Sequence, residues 1–311
     1  MNAHAGLVDF LNGLNHRAKR AFDTLRAGPC WQVRSDVTIP ALRHAALLML
    51  VKDEADILGL NLRHHYQLGF RRFFILDNNS TDGTAQEIEL FRKDAPQADV
   101  FYAQDYQQAY YQAAKMQALQ QFAETYLRHD ANPPDWIFFV DADEFITCCH
   151  TGPNAGEKFA RMLADPQARL LVFHWAQAAL VTRTPPYRLT SFGPSLAETE
   201  CVVWPAMRQE VTKVALRTGC GLTTGQGNHF VEQVECVQDH TRLMTEAGFC
   251  MLHFPQRSMA QIERKLLNGM RALQASTLPP EMGKHWREHY DRYQREGSSA
   301  LRTLLAQHLA L

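Results

Sequence analysis

The sequence has no apolar run long enough to cross a bilayer, no Cys-x-x-Cys pair, no Gly-x-Gly-x-x-Gly after its first strand-like run and no phosphate-cradling Gly-rich loop with its Lys. The first absence argues against an integral membrane protein, and the second leaves no zinc knuckle. The last two remove dinucleotide-binding dehydrogenases and P-loop kinases. A global electrostatic field is also missing: 32 Lys and Arg stand against 33 Asp and Glu, for a net charge of −1. With no stripe of Lys and Arg interleaved with aromatics, nucleic acid is not an expected partner. The seven cysteines, at 30, 148, 149, 201, 220, 236 and 250, are odd in number and irregular in spacing. That usage fits a reducing compartment, where free Cys serves as a small apolar residue, better than a secreted disulfide framework. Near the N-terminus the charges follow the apolar residues, the reverse of a signal peptide, so the expected location is the cytoplasm.

What is present is an ordinary globular composition, 46% apolar and 21% charged over 311 residues, enough for one large α/β domain with appendages. Residues 1–40 read as an amphipathic helix and linker, 41–275 as the main domain, and 276–311 as a helical appendage. Over residues 1–27 the apolar positions Leu7, Phe10, Leu11, Leu14, Ala18, Ala21, Phe22 and Leu25 recur at helical spacing, with Arg17, Lys19, Arg20 and Arg26 among them. Such a helix suits packing on the domain, and its basic face also suits peripheral contact with the inner face of a membrane.

From residue 45 short apolar runs alternate with longer amphipathic segments, the sequence form of βαβ units around a buried parallel sheet. Strands are expected at Ala45–Val51, Arg72–Leu76, Ala98–Ala103 and Trp136–Val140, with helices at Glu54–Leu68, Thr84–Lys93 and Tyr110–Arg128 between them. This is a Rossmann-like half. Later strands are expected at Leu170–Trp175, Val211–Leu216 and Phe249–Phe254, and helical segments at Met259–Leu273 and Lys284–Leu309.

In an open parallel sheet the ligand crevice lies beyond the carboxyl ends of the strands. Three expected strands end in polar clusters: Lys52-Asp53-Glu54, Asp77-Asn78-Asn79-Ser80-Thr81-Asp82-Gly83-Thr84, and Asp141-Ala142-Asp143-Glu144. Asp141 and Asp143 are two apart, so in extended chain both carboxylates project to one side and can reach one ion. Hard oxygen ligands favour Mn2+ or Mg2+, whose coordination is completed by water and substrate phosphate. The Asp77–Thr84 segment reads either as a structural turn or as a polar pocket for the base or ribose of a nucleotide.

Four strings in order carry a family resemblance: Met49-Leu50-Val51-Lys52-Asp53-Glu54, His65-Tyr66-Gln67-Leu68-Gly69-Phe70, Asp77 to Thr84, and Asp141-Ala142-Asp143-Glu144-Phe145. Over residues 45–146 the chain resembles the glycosyltransferase family 2-like proteins, particularly the branch near glycosyltransferase family 92. A looser likeness continues through Lys213, His229, the segment Leu252 to Ser258, and Lys265. The resemblance implies a GT-A fold, a mixed central sheet flanked by helices. It also implies a nucleoside-diphosphate sugar donor, a divalent cation, and transfer to a hydroxyl of a glycan or lipid-linked acceptor in surface glycan synthesis, with inversion. By position, Lys52, Glu54, Asp77 and Asn78 border the nucleoside, Lys213 and Lys265 face phosphate, and Asp141, Asp143 and His253 hold the metal. The Glu-Asp motif of family 2 is not evident, which leaves the base open among Glu144, Glu210 and His229. His65, within a helix, reads as a satisfied core residue. Two competing readings share the fold: a metal-dependent nucleotidyltransferase, which lacks here its early Arg-containing Gly-rich loop, and a non-catalytic sugar-binding module.

Overall fold

Alternation of side chains between two apolar clusters along the first strand sets the architecture. In the computed structural model, β1 (Ala45–Val51) sends Ala45, Leu47, Met49 and Val51 into one apolar cluster, while Ala46 and Leu48 enter a second on the opposite side. A strand buried on both faces has to be interior to a sheet with covering layers on each side. The structure describes residues 37–309 apart from 108, 110, 130–134, 150–153, 181, 184–187, 190–191, 205–210, 234–236 and 278–282. The helix expected over residues 1–27, with its membrane contact, lies outside the described residues.

The central strands are β1, β2 (Arg72–Asp77), β3 (Asp99–Gln104) and β4 (Trp136–Phe139), then β5 (Glu144–Cys148) and β6 (Leu170–Leu180). A two-stranded pair, β7 (Thr182–Arg183) and β8 (Arg188–Leu189), stands apart from the main sheet, which takes up β9 (Cys201–Trp204), β10 (Thr212–Arg217), β11 (Thr241–Leu243) and β12 (Phe249–His253). The order is β3-β2-β1-β4-β10-β6-β12-β5, with β9 and β11 attached to β6. β2 and β4 flank β1 in parallel, so the chain departs from β1 first to one side and then to the other. The carboxyl ends of β1 and β4 therefore border the topological switch point, where such sheets open a crevice. Beyond β4 the sheet turns mixed, because β10 runs antiparallel to both β4 and β6.

Three helices cover the first face: α1 (Leu58–Leu68), α2 (Thr84–Asp94) and α4 (Ala155–Ala164), through Leu58, Leu62, Ile88, Phe91, Phe159 and Leu163. On the other face α3 (Gln112–Leu127) presents Met116, Leu119, Ala123 and Leu127, and the loop following β10 adds Leu222 and Val231. C-terminal helices α5 (Met259–Gln274), α6 (Lys284–Glu296) and α7 (Ser298–Leu309) share a smaller cluster around Ile262, Leu266, Leu301 and Leu304.

Several expectations are refined. The helix expected from Glu54 starts at Leu58, because Glu54 to Ile57 form a turn whose Glu54 carbonyl accepts from the Ile57 and Leu58 amides at 3.1 and 2.9 Å. The helical stretch expected over Lys284–Leu309 breaks at Gly297, whose φ of 58° is the left-handed region that ends helices. The expectation that the cysteines are all free is overturned for Cys149 and Cys250, which are disulfide-bonded across a sequence separation of 101 residues. No helix of the described residues is long and apolar enough to cross a membrane.

On β6, His174 lies opposite Thr212 of β10, fully buried, with both ring nitrogens unpartnered. Burial lowers its pKa from 6.5 to about 4. Between those values the unfolded chain binds a proton that the folded chain refuses. Stability is thus unaffected above pH 6.5 and falls as pH drops towards 4. Urea titrations at pH 7 and pH 5 are expected to show a loss of about 2 kcal/mol from each histidine of this kind. His174→Leu should flatten the profile by about that amount, and equal profiles for the two proteins would exclude His174 as a source.

Candidate active site

At the carboxyl end of β4 the chain turns within three residues from Val140 into β5, and that turn carries Asp141, Ala142 and Asp143. The turn closes on itself through the Glu144 amide, which donates to the Asp141 carbonyl at 3.0 Å. The Glu144 carboxylate in turn accepts from the Asp141 amide at 2.9 Å. Strands β5 and β12 pair antiparallel with His253 opposite Glu144, which sets the late histidine beside the acidic turn. His253 Nε2 lies 3.6 Å from Asp143 Oδ2, and Nδ1 is buried without a partner.

Each carboxylate of the turn faces a cation from later in the chain. The β10–β4 register pairs Ala215 with Phe138, and two steps further on that strand brings Lys213 alongside Val140. Its ammonium, with no exposure, donates to Asp141 Oδ2 at 2.7 Å and stands 3.2 Å from Glu144 Oε2. Burial alone would strip the proton from Lys213, but Asp141 and Glu144 outweigh it and raise its pKa. For Glu144 burial wins over Lys213 and lifts the carboxyl to about 8. Asp143 meets Lys265 at 2.8 Å and Arg257 at 3.4 Å. Burial opposes its ionisation, yet Lys265, His253 and Arg257 together hold the carboxyl well below its usual range.

Arg257 ties this turn to the segment after β1. Its Nε and Nη2 donate to the two oxygens of Asp56 at 2.7 and 3.0 Å, and Nη2 also pairs with Glu54. Buried beside that guanidinium, Glu54 has its pKa raised to about 7, burial outweighing the attraction of Arg257. Arg257 falls within the Leu252 to Ser258 segment, which carries no role for it in the sequence. Its carboxylate partners are 114 to 203 residues away, so no local pattern marks it.

The loops after β1 and β2 are stitched together by short side chains. The Thr81 amide donates to Asp53 Oδ1 at 2.7 Å, the Asp53 amide to Ser80 Oγ at 2.9 Å, and the Glu54 amide to Thr84 Oγ1 at 2.9 Å. Asp53 and Asn79 hold left-handed backbone, φ 54° and 56°, which Asp and Asn tolerate better than most residues. Lys52 donates to the Asn79 carbonyl. Asp77 is fully buried, accepting from the Ser80 amide at 2.8 Å and the Tyr102 hydroxyl at 2.9 Å, so its carboxylate holds the turn from within. Asn78 accepts at 2.9 Å from Lys115, which also pairs with Asp105 at 2.6 Å. Lys115, on α3, was not singled out in the sequence.

His229 comes from the loop after β10. Nδ1 donates to the Thr212 carbonyl at 2.7 Å, which leaves Nε2 as the acceptor of the neutral ring. Burial, with Lys213 adding to it, lowers its pKa to about 4. Trp175 bridges it to the metal-ligand candidate, edge-on to His229 at 5.3 Å and tilted over His253 at 4.2 Å. Of the three base candidates, Glu144 is sealed with Lys213 and the Asp141 amide, and Glu210 lies outside the described residues.

A divalent ion with ligands near about 2.1 Å places neighbouring ligand atoms about 3.0 Å apart and opposite ones about 4.2 Å apart. The 3.6 Å between Asp143 Oδ2 and His253 Nε2 is wider than an adjacent pair and narrower than an opposite one, so a shared ion would draw the two together by a small side-chain rotation. Two hard carboxylates and an imidazole also suit Mn2+ or Mg2+. Asp141 is drawn to Lys213, and no three His, Cys, Asp or Glu of the described residues stand close enough together to hold an ion by themselves. The fit is that of an open set finished by substrate oxygens and water.

Lys213→Met would leave Asp141 and Glu144 facing each other without their cation. Removing one partner of a buried ionic cluster costs about 3–5 kcal/mol. Chemical denaturation is expected to show a loss of that order and to show part of it recovered in Lys213→Met/Glu144→Gln. No recovery in the double variant would mean that the loss comes from packing rather than charge.

No family profile matches the chain, and neither does any curated protein. Among solved structures, the chain is similar to the mannosyltransferase PcManGT from Pyrobaculum calidifontis in complex with GDP-Man and Mn2+. The two are 15% identical, covering 99% of this chain and 85% of that one, with a TM-score of 0.41. It is similar also to glucosyl-3-phosphoglycerate synthase from Mycobacterium tuberculosis in complex with Mn2+, UDP and glucosyl-3-phosphoglycerate, at 16% identity, 44% and 47% coverage and a TM-score of 0.26. GalNAc-T7 with UDP, GalNAc and Mn2+ is similar at 10% identity, 83% and 57% coverage and a TM-score of 0.39. The chain spans about half the length of the latter two.

Proposed function

We propose that this chain is a metal-dependent glycosyltransferase that moves a sugar from a nucleoside-diphosphate donor to an acceptor hydroxyl. The observation that carries the reading is the approach of Asp143 and His253 to 3.6 Å at the switch-point crevice, in a chain whose motif order resembles the family 2-like enzymes. Asp141, Asp143 and His253 are the metal ligands. A divalent cation bound there supplies Lewis-acid stabilisation to the diphosphate as it departs.

The chain's own residues divide the remaining work. Lys265, on α5 with its side chain 34% exposed beside Asp143, is the cation available to the phosphate oxygens. Lys213, enclosed, sets the direction of Asp141. The stitched loops after β1 and β2, with Asn78 and Lys115, border the nucleoside. His229 is the base: its bond to the Thr212 carbonyl fixes the tautomer whose Nε2 takes the proton from the acceptor hydroxyl. As that proton leaves, the acceptor oxygen bonds to the anomeric carbon and the bond from that carbon to the diphosphate oxygen breaks. The products are a glycoside of inverted configuration and the nucleoside diphosphate.

Calorimetric titration of UDP and GDP, with and without Mn2+, tests the donor site. Metal-dependent binding of one nucleotide, abolished by Asp143→Ala, is the expected result; no binding of either under any metal condition would favour a non-catalytic module. Once a donor is known, His229→Ala should leave nucleotide affinity within about twofold while turnover drops by about 10² to 10⁴. Unchanged turnover would remove His229 as the base.

A further inference from the structure

The acidic turn is held from outside by one side chain that no metal-binding or catalytic role explains. Asn61 lies on α1, fully buried, with its amide beneath the turn. Nδ2 donates to the carbonyls of Glu144 at 2.6 Å and Ala142 at 3.0 Å, and stands 3.4 Å from that of Asp141. The fourth carbonyl, that of Asp143, accepts from the Phe254 amide at 2.9 Å. Every peptide from 141 to 144 is thereby tied down, and Asn61 holds all but one.

The amide can do this in only one orientation, and His65 fixes it. His65 Nε2 accepts from the Ile146 amide at 3.2 Å, so the proton of the neutral ring sits on Nδ1. From there it is donated towards Asn61 Oδ1 at 2.9 Å and the Asn61 carbonyl at 3.0 Å. With Oδ1 committed to the ring, both amide hydrogens point at the turn. His64 completes the attachment by donating Nε2–H to the Ile146 carbonyl at 2.9 Å.

We infer that Asn61 is a positioning residue for the metal site: by clamping the backbone of the acidic turn, with its amide oriented by His65, it sets the directions in which Asp141 and Asp143 project. The inference rests on the metal-binding reading of that turn. A side chain that holds the backbone carrying the ligands acts through ligand orientation, and loss of an outer partner bonded directly to a ligand costs about 10- to 100-fold in metal affinity, the upper bound for Asn61.

The test compares the full-length wild type with Asn61→Ala and His65→Gln. Deuterium uptake at the amides of residues 141–146 is followed by exchange, and Mn2+ affinity by electron paramagnetic resonance with UDP or GDP present. Asn61→Ala is expected to speed exchange in that segment and to weaken Mn2+ binding by up to about 10- to 100-fold. His65→Gln, which keeps Asn61 but frees its amide to turn, should move both readouts in the same direction and decides the matter if Asn61→Ala does not fold. Exchange and Mn2+ affinity both within twofold of wild type, with only a lower melting temperature, would make Asn61 a packing residue and overturn the inference. If the wild type itself binds no Mn2+ with either nucleotide, the proposed function fails on that result; the exchange arm then stands alone, and unchanged uptake in the variants overturns the clamp.

Discussion

Five carboxylates, Glu54, Asp56, Asp141, Asp143 and Glu144, can crowd around one crevice only because Lys213, Arg257 and Lys265 reach them from the later part of the chain. Asp143 and Glu144 are buried among them, and like charges so placed without cations would protonate or unfold the turn. Much of the topology follows from that constraint. β10 has to lie against β4 to bring Lys213 beside Val140, and β12 has to end at His253 for Arg257 to fold back between Asp143 and Asp56.

The mixed half of the sheet is therefore more than an extension of the parallel half. Strands β1 to β4 present acids at their carboxyl ends, and an antiparallel neighbour is the means by which a strand can begin, rather than finish, at that same edge. Thr212 and Lys213 open β10 there, and the loop after β10 returns His229 to the same region through the Thr212 carbonyl. The acidic and basic contributions are thus delivered to one edge by strands of opposite direction.

How much of this is legible in sequence depends on range. β1 to β4 read clearly because runs such as Ala45–Val51 are apolar on both faces and end in polar clusters. β5 did not, since Glu144 to Cys148 follows the acidic turn with no Gly or Pro to mark a new strand. The Asp77–Thr84 segment carried two readings, and the stitching of Ser80, Thr81 and Thr84 to residues 53 and 54 shows the structural one at work. His65 reads correctly as a satisfied core residue, but Asn61, four positions earlier, looks like an ordinary polar residue on a helix. The carbonyls it donates to lie 80 to 83 residues away, and only the docking of α1 on β5 reveals them.

That docking also governs how the sheet can meet other molecules. β5 is the last strand of its row, and a last strand normally offers unpaired amides and carbonyls to any extended chain that drifts past. Here both backbone groups of Ile146 are already spent on His64 and His65. A foreign strand seeking to join the sheet beside the acidic turn would first have to evict two buried imidazoles, so the arrangement that steadies the turn also guards that border against aggregation.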